Sequence, residues 1–296
     1  MQARTTMEER LTIPAGPGPR SSRGIMAQAL HLYLHRIGPV TAIAAIIAVP
    51  LVAAGRAAFG RDYFQLTAGM PLPQADPLPQ ALAAGITIYA LLYLVGLLAI
   101  SGAVAEVIAR SLAGHELCVS RAYVASVHRL PHMLGASLVA ALAAGLPAGI
   151  GVLTASSVGI ALAGWGVIAL MSSLAIYVFV RFAFVTYIAL LEQKGPYASL
   201  ARSWSLTSGA WWRTFGLLAL VTLLVGVVQI ALDLATGSLP ELSALLSIIV
   251  VTPLTVIGNV LIYLDLRARK EHYTLEQLDE DVRAVTDERE AGQRAR

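Results

Sequence analysis

Six long apolar stretches, separated by short polar segments, make up most of this chain. They cover Ile37–Phe59, 82–105, 133–154, 159–180, 214–235 and 242–264. About 20 apolar residues of α-helix cross a hydrocarbon core of about 30 Å, and each stretch reaches that length. Backbone polar groups inside a bilayer must be satisfied locally, which favours helices. The pattern therefore predicts an all-α polytopic membrane protein with six transmembrane helices.

Three segments that mix aromatic, aliphatic and polar residues precede the first, third and fifth stretches. They lie at 29–36, 122–129 and 201–213, and each ends with Arg or a His-Arg pair at the foot of a span. Amphipathic helices of this kind lie in the headgroup layer. An interfacial helix followed by a two-helix hairpin then forms each of three units, 25–110, 116–191 and 197–270. Two explanations of the similarity are open. The segments are copies in an internal repeat, or they share only the mixture of apolar and polar residues that is common where helices enter a membrane.

The ends of the chain differ from the apolar middle, residues 25–270. Residues 1–24 contain three prolines and charges of both signs, which predicts a disordered leader. Residues 271–296 form a charged tail in which Thr274 and Gln277 match a helix-capping box. Apolar residues then recur at helical spacing and predict a short amphipathic helix. They are Leu275, Leu278, Val282 and Val285.

Composition and charge fix the orientation of the predicted helices. Hydrophobic residues make up 57% of the chain and charged residues 13%, which leaves no sizeable soluble domain beside six spans. Every Lys and Arg except Arg56 and Arg61 falls on one side of the predicted spans. The positive-inside rule then places both termini in the cytoplasm. Many Arg, Ala and Gly residues are typical of a GC-rich bacterial genome, so we expect a multi-pass protein of the inner (plasma) membrane.

The formal net charge of +3 also bears on which molecules the protein binds. The basic residues are scattered along one membrane face, where they attract the anionic headgroups of membrane lipids. We therefore expect lipids, and a membrane-protein partner, rather than nucleic acid.

Motifs that carry catalysis are missing from the sequence. It contains no His-Glu-x-x-His pair, no phosphate-binding loop and no Gly-x-Ser-x-Gly turn. The single cysteine, Cys118, leaves no cysteine cluster for a metal. We therefore expect no catalytic, cofactor-binding or metal-binding residues, and no enzymatic activity.

Arg181 is the most informative ionisable residue near a span. It is followed by apolar residues up to Leu191, so it lies within the bilayer or just below it. Ionisable groups there need a partner. Asp265 or Glu192 supplies one in one interpretation; in the other, Arg181 extends to the headgroups. Gln229 and Asn259 are expected to form hydrogen bonds between helices.

Two segments, one after the fourth span and one at the end of the sixth, have the most distinctive sequences in the chain. After the fourth span come Glu192, the run Ser-Leu-Ala-Arg-Ser-Trp at 199–204, and Gly209. The sixth span closes with Tyr-Leu-Asp-Leu-Arg-Ala-Arg-Lys-Glu at 263–271. The candidate structural or functional residues are Arg181, Glu192, Arg202, Ser203, Trp204, Gly209, Asp265, Arg267, Arg269 and Glu271.

These segments resemble the glycerophosphoryl diester phosphodiesterase membrane-domain family and related six-helix bacterial membrane proteins. The resemblance covers about residues 25–275 and implies the six-helix fold. It implies no phosphodiesterase activity, because fused members carry catalysis in a separate soluble domain that this chain is too short to contain. That domain uses a His-Arg-Gly motif, whereas the His-Arg pairs here are followed by Ile37 and Leu130.

The leading functional hypothesis is a non-catalytic scaffold or accessory subunit at the cytoplasmic leaflet, in lipid- or envelope-related processes. The alternative is a transporter or permease component for a lipid or an amphipathic small molecule. Kinked helices and small residues, such as those from Gly145 to Gly149, are compatible with the alternative.

Overall fold

The fold is entirely helical in the part of the chain that the structure describes. The computed structural model describes residues 22–59, 80–115, 119–158, 162–237, 239–274, 276–281 and 283. These residues are 92% helical and contain no β-strand. The predicted all-α class is therefore confirmed.

The helices are numbered in chain order. They are α1 (Ser22–His35), α2 (Ile37–Phe59), α3 (Gln80–Leu112), α4 (Val119–Val158), α5 (Leu162–Phe182), α6 (Val185–Leu191), α7 (Pro196–Thr207), α8 (Trp211–Thr236), α9 (Pro240–Leu246) and α10 (Thr252–Glu271). A π-helical turn, Ser247–Val251, joins α9 to α10, and residues 276–281 are also helical.

Six helical segments are long and apolar enough to cross a membrane, which confirms the six predicted spans. They run over Ile37–Phe59, Ala84–Leu112, Val119–Thr154, Gly164–Leu191, Trp211–Thr236 and Glu241–Glu271. Large apolar side chains stay exposed along their sides, among them Leu153 (70%) and Leu234 (79%). Apolar surface of this extent fits a lipid solvent rather than water. The chain is an integral membrane protein.

The second of the three expected interfacial segments does not form a separate helix. Residues 122–129 are part of α4, which continues through Pro131 and Pro147 without interruption. The segments before the first and fifth spans do form separate helices, α1 and α7. The expectation of three equivalent interfacial helices is therefore wrong at the second segment.

One face of helix α1 packs against the bundle. Ile25, Ala29 and Leu32 are at most 1% exposed, and α1 lies against α10. Leu30 and Leu34 are 45% and 57% exposed, so apolar surface of α1 also remains for the bilayer.

Helix α10 is the centre of the core. Nearly every side chain from Val256 to Ala268 is buried, and the helix contacts α1, α3 and α8. A helix that is apolar on all faces is stable only when it is surrounded. α10 therefore positions its polar C-terminal residues against a rigid frame.

Glycines allow close helix contacts at Gly102, Gly151 and Gly258. A Cβ atom at Gly258 would lie 2.9 Å from the methyl groups of Val221, and one at Gly102 would lie 2.3 Å from Oγ of Ser126. At Gly145 and Gly149 a Cβ atom would meet nothing within 4 Å. Among the described residues, the Gly-x-x-x-Gly spacing of α4 is therefore not a helix contact.

Polar side chains connect the helices at two places inside the bundle. Ser247 Oγ donates a 2.7 Å hydrogen bond to Gln229, and the Gln229 amide donates to Asp233 at 2.9 Å. Asn259 of α10 hydrogen-bonds Tyr187 of α6. The expectation that Gln229 and Asn259 join helices is confirmed.

Several predictions fall outside the described residues. They are the leader up to residue 21, and Leu275, Val282 and Val285 of the predicted tail helix. In the described part of the tail, the capping box is present. Gln277 Oε1 accepts from the Thr274 amide at 3.0 Å, and Leu278 is 2% exposed.

Candidate functional site

The motif residues lie at one end of the bundle, where α6 and α7 meet the C-terminal half of α10. Gly195 is extended and Pro196 occupies the first turn of α7, a position where a missing amide costs nothing. The helix ends at Thr207, and Gly209 follows with a φ of +75°. This conformation favours glycine because a side chain would clash with the backbone. Both ends of α7 are thus set by local sequence.

Glu192 receives donors from three directions. Its carboxylate accepts from Arg202 Nε at 2.9 Å, Tyr263 Oη at 2.8 Å and Lys194 Nζ at 2.8 Å. Arg267 Nε lies 3.8 Å away. The Glu192 side chain is only 7% exposed. The carboxylate therefore joins α7 and α10 to the end of the fourth span.

Arg202 connects Glu192 to a second carboxylate, that of Glu271. Arg202 Nη2 donates to Oε2 of Glu271 at 2.6 Å, while Nε holds Glu192. One planar guanidinium thus satisfies two acidic residues from different elements. Arginine suits this role because its donors are fixed in a rigid fork.

Arg267 extends the same network to the C-terminal segment. Its Nη1 donates to Asp281 at 2.9 Å, and its guanidinium carbon lies 3.6 Å from the ring centroid of Tyr273. Tyr273 Oη donates to the same Asp281 at 2.5 Å. The tail that follows α10 is therefore folded back onto the network. We call these eight residues, Glu192, Lys194, Arg202, Tyr263, Arg267, Glu271, Tyr273 and Asp281, the charged platform.

The electrostatics of the platform favour ionised carboxylates. Burial alone would raise the pKa of Glu192, but hydrogen bonds from Lys194, Tyr263 and Arg202 and the charge of Arg267 outweigh it and lower that pKa. The hydrogen bond to Glu271 is the largest cause that raises the pKa of Arg202. Burial, and then the bond to Asp281, raise the pKa of Tyr273. Glu192 and Arg202 are therefore both charged, and paired with each other, at neutral pH.

Asp265 lies in a second, separate cluster. Its side chain is completely buried and accepts from Arg213 Nη2 at 2.9 Å and from Arg269 Nε at 3.0 Å. Arg213 belongs to the first turn of α8, so this carboxylate joins the fifth span to the sixth.

Arg181 has a different partner from either of the two that were expected. Its Nη2 donates to Tyr177 Oη at 2.7 Å, and its guanidinium carbon lies 4.7 Å from the Trp204 ring centroid. Asp265 and Glu192 are instead held by Arg213 and Arg202. The predicted pairing of Arg181 with one of these carboxylates is therefore not found. Arg181 rests on aromatic rings, half-buried at the end of α5.

Ser203 and Trp204 fix α7 against α5. Ser203 is buried and its Oγ donates to the Arg181 carbonyl at 2.7 Å. The Trp204 ring contacts the Tyr177 ring at 6.2 Å and the Phe182 ring at 5.8 Å between centroids. These residues position the helix and carry no free reactive group.

Some residues of the site were not predicted from the sequence. Tyr263 could have been found, because it lies four residues before Arg267 and eight before Glu271 on the same helical face. Tyr177 could have been found in the same way, because it lies four residues before Arg181 on α5. Arg213 and Lys270 gave no comparable signal, because their contacts with Asp265 and Ser205 depend on how separate helices pack.

The platform geometry joins helices. The platform carboxylates are each held by a cation, and no group of three or more His, Cys, Asp or Glu among the described residues is arranged to hold a metal. Removing one partner from such a pair is costly, because it leaves a partly buried charge without its counter-charge.

No family model, no curated protein and no solved structure matches the chain. The resemblance to the glycerophosphoryl diester phosphodiesterase membrane-domain family stays a prediction.

Proposed function

We propose that this integral membrane protein is a non-catalytic scaffold or accessory subunit that acts at the cytoplasmic leaflet in lipid- or envelope-related processes. The observation that carries the proposal is the charged platform. It ties the end of the fourth span, α7, α10 and the C-terminal segment together through ion pairs around the buried carboxylate of Glu192. Its carboxylates are engaged by cations, which suits a fixed surface better than a proton-transferring site.

A binding surface for a partner accompanies this rigid frame. The aromatic side chains of Tyr197 (79% exposed) and Trp212 (78% exposed) project at the same end of the bundle. Exposed aromatic residues are common anchors of protein interfaces. The proposed orientation places this end, with most of the basic residues, in the cytoplasm of an inner-membrane protein.

Purification from the native membrane in mild detergent, followed by quantitative mass spectrometry, tests the proposal. We expect a partner protein in stoichiometric amount, and we expect Tyr197→Ala to release it. Trp165→Ala is the matched control, because Trp165 is 62% exposed at the opposite end of α5. A monodisperse protein with no stoichiometric partner, or equal loss with the control variant, would contradict the scaffold function.

One observation favours a second candidate, a lipid or amphipath transporter. A π-helical turn and Pro253 interrupt the last span beside the Gln229–Asp233 pair, and such turns recur at functional sites. The transporter hypothesis requires that the spans move relative to one another, and a disulfide between two spans would restrict that movement. A Cβ atom at Gly258 of α10 would lie 3.6 Å from Cβ of Val221 of α8, which is close to disulfide geometry.

A cross-link at these positions separates the two candidates. We introduce Gly258→Cys and Val221→Cys in a Cys118→Ala background and reconstitute the protein in liposomes with a fluorescent phosphatidylglycerol. A scaffold transfers no lipid in either redox state. Transfer that stops on oxidation and returns on reduction would support the transporter instead.

A further inference from the structure

An apolar groove opens between α5 and α8 on the outer surface of the bundle. Its volume is about 360 Å³, and its walls include Ile176, Phe179 and Val180 of α5 and Phe215, Ala219 and Leu223 of α8. Phe179 and Leu223 are 60% and 66% exposed. Both helices are membrane spans, so the solvent beside this groove is lipid. An acyl chain matches its shape and polarity.

A stack of aromatic rings leads from this groove to Arg181. Phe215 lies parallel to Trp211, with centroids 5.2 Å apart, and Trp211 stacks on Tyr177 at 5.7 Å. The Tyr177 hydroxyl in turn accepts from Arg181. Tryptophan and tyrosine prefer the level of the lipid headgroups. The mouth of the groove and the Arg181 guanidinium therefore lie at headgroup depth.

Two cations face the same turn of backbone at this mouth. Lys270 Nζ donates to the Ser205 carbonyl at 2.6 Å, and Arg181 Nη1 lies 3.5 Å from the Trp204 carbonyl. Their charges act on each other. Among the described residues, neither side chain forms an ion pair with a carboxylate.

The helix end does not neutralise these two charges. The C-terminus of a helix carries roughly −0.5 elementary charge, against two full positive charges here. A guanidinium also has five N–H donors, and the described acceptors of Arg181 are Tyr177 Oη and the Trp204 carbonyl. The ammonium of Lys270 donates to the Ser205 carbonyl and to the carbonyl and hydroxyl of Ser208. Guanidinium donors of Arg181, and the positive charge of both side chains, therefore remain for a phosphate.

We propose that this is a binding site for one anionic phospholipid, whose phosphate is held by Arg181 and Lys270 and whose acyl chain occupies the groove between α5 and α8. The site combines a cation pair with an apolar channel at the depth where a phospholipid presents both parts. It does not depend on the scaffold function, because it needs no partner protein.

Competition between two lipids with identical chains tests the site. The purified protein is incubated with equal amounts of dioleoyl phosphatidylglycerol and dioleoyl phosphatidylcholine, and the retained lipid is counted by native mass spectrometry. The choline group is repelled by the two cations, so we expect one phosphatidylglycerol to be retained in preference. Replacing Arg181→Gln together with Lys270→Gln should reduce that preference by about tenfold, which corresponds to about 1.4 kcal/mol.

A separate variant tests whether the acyl chain occupies the groove. Ala219→Phe fills the space between the helices, and we expect it to reduce retention of both lipids about equally. Ala231→Phe on an exposed part of the same helix is its control, and Arg36→Gln, which removes one exposed positive charge, is the control for the cation pair. Both controls should retain lipid as the unmodified protein does.

Three results would overturn the proposal. They are an unchanged preference in the Arg181/Lys270 variant, an equal effect of the Arg36 control, and displacement of the lipid by the same concentration of inorganic phosphate, which would indicate a free-anion site. Size-exclusion profiles confirm that each variant is folded. Should the double variant misfold, the Ala219→Phe and Ala231→Phe pair decides the result alone.

Discussion

The carboxylate of Asp265 is completely buried and lies 2.9 Å from Nη2 of Arg213. This pair joins the sixth span to the first turn of the fifth. An isolated carboxylate at this depth would be costly, so the ion pair makes the position of α10 depend on the position of α8.

Asp265→Asn should therefore destabilise the protein by about 3 kcal/mol, because it leaves Arg213 and Arg269 without their shared acceptor. The measurement is the temperature at which the detergent-solubilised protein leaves its monodisperse size-exclusion peak. Glu276→Gln, which removes an exposed carboxylate at the same end, should leave that temperature unchanged. Equal thermal midpoints for Asp265→Asn and Glu276→Gln would show that the Asp265 ion pairs do not contribute to stability.

A second buried pair, Glu106 and Arg110, lies one turn apart on α3. Arg110 Nε donates to Glu106 at 2.8 Å, and the two side chains are 5% and 0% exposed. We expect Arg110→Met to cost about 3–5 kcal/mol, because it leaves a carboxylate buried among apolar residues. The double variant Glu106→Leu/Arg110→Met should recover much of that loss. The same size-exclusion midpoint measures both, and a double variant less stable than Arg110→Met would refute this explanation.

Stability should fall in acid through Glu192. Its folded pKa is below the ordinary value of 4.5, so its contribution is complete above that value and disappears as the pH falls through the lower folded pKa. We expect the thermal midpoint to fall as the pH drops below about 4.5 and passes through the lower folded pKa. Glu192→Gln should have a lower midpoint at neutral pH and a smaller change across this range. Parallel pH curves for the two proteins would mean that Glu192 is not linked to folding.

The left-handed conformation of Gly209 can be tested beside a matched glycine. Gly209 has a φ of +75°, whereas Gly195, at the other end of α7, has a φ of −65°. Neither would place a Cβ atom within 4 Å of a neighbour. Gly209→Ala should therefore cost about 1 kcal/mol through backbone strain alone, and Gly195→Ala should be neutral. The difference between their thermal midpoints is the measurement, and a lower midpoint for Gly195→Ala would reverse the assignment.

The spans and the motif were accessible from the sequence, because hydropathy over a whole segment depends on the bilayer and hardly on tertiary contacts. The i,i+4 relation of Glu106 and Arg110 was accessible for the same local reason. The sharing of Arg202 between Glu192 and Glu271 was not, because it depends on how α7 meets α10. The same limit applies to the contact of Arg181 with Trp204, because the two residues lie on different helices, α5 and α7.

Helix contacts through small residues show most clearly that contacts between separate helices are not accessible from the sequence. The sequence draws attention to Gly145 and Gly149, yet the close approach occurs at Gly258, where a Cβ atom would lie 2.9 Å from the Val221 methyl groups.

Carbon atoms in ordinary contact are about 3.5–4.0 Å apart. Gly258→Ala should therefore cost about 1–3 kcal/mol through overpacking between α8 and α10. Gly145→Ala is the control and should be neutral, since a Cβ atom there would meet no described residue within 4 Å. Adding Val221→Ala to Gly258→Ala should relieve the crowding, so the double variant should lose less stability than the sum of the two single changes. Additive losses in the size-exclusion midpoint would indicate that the two positions do not contact each other.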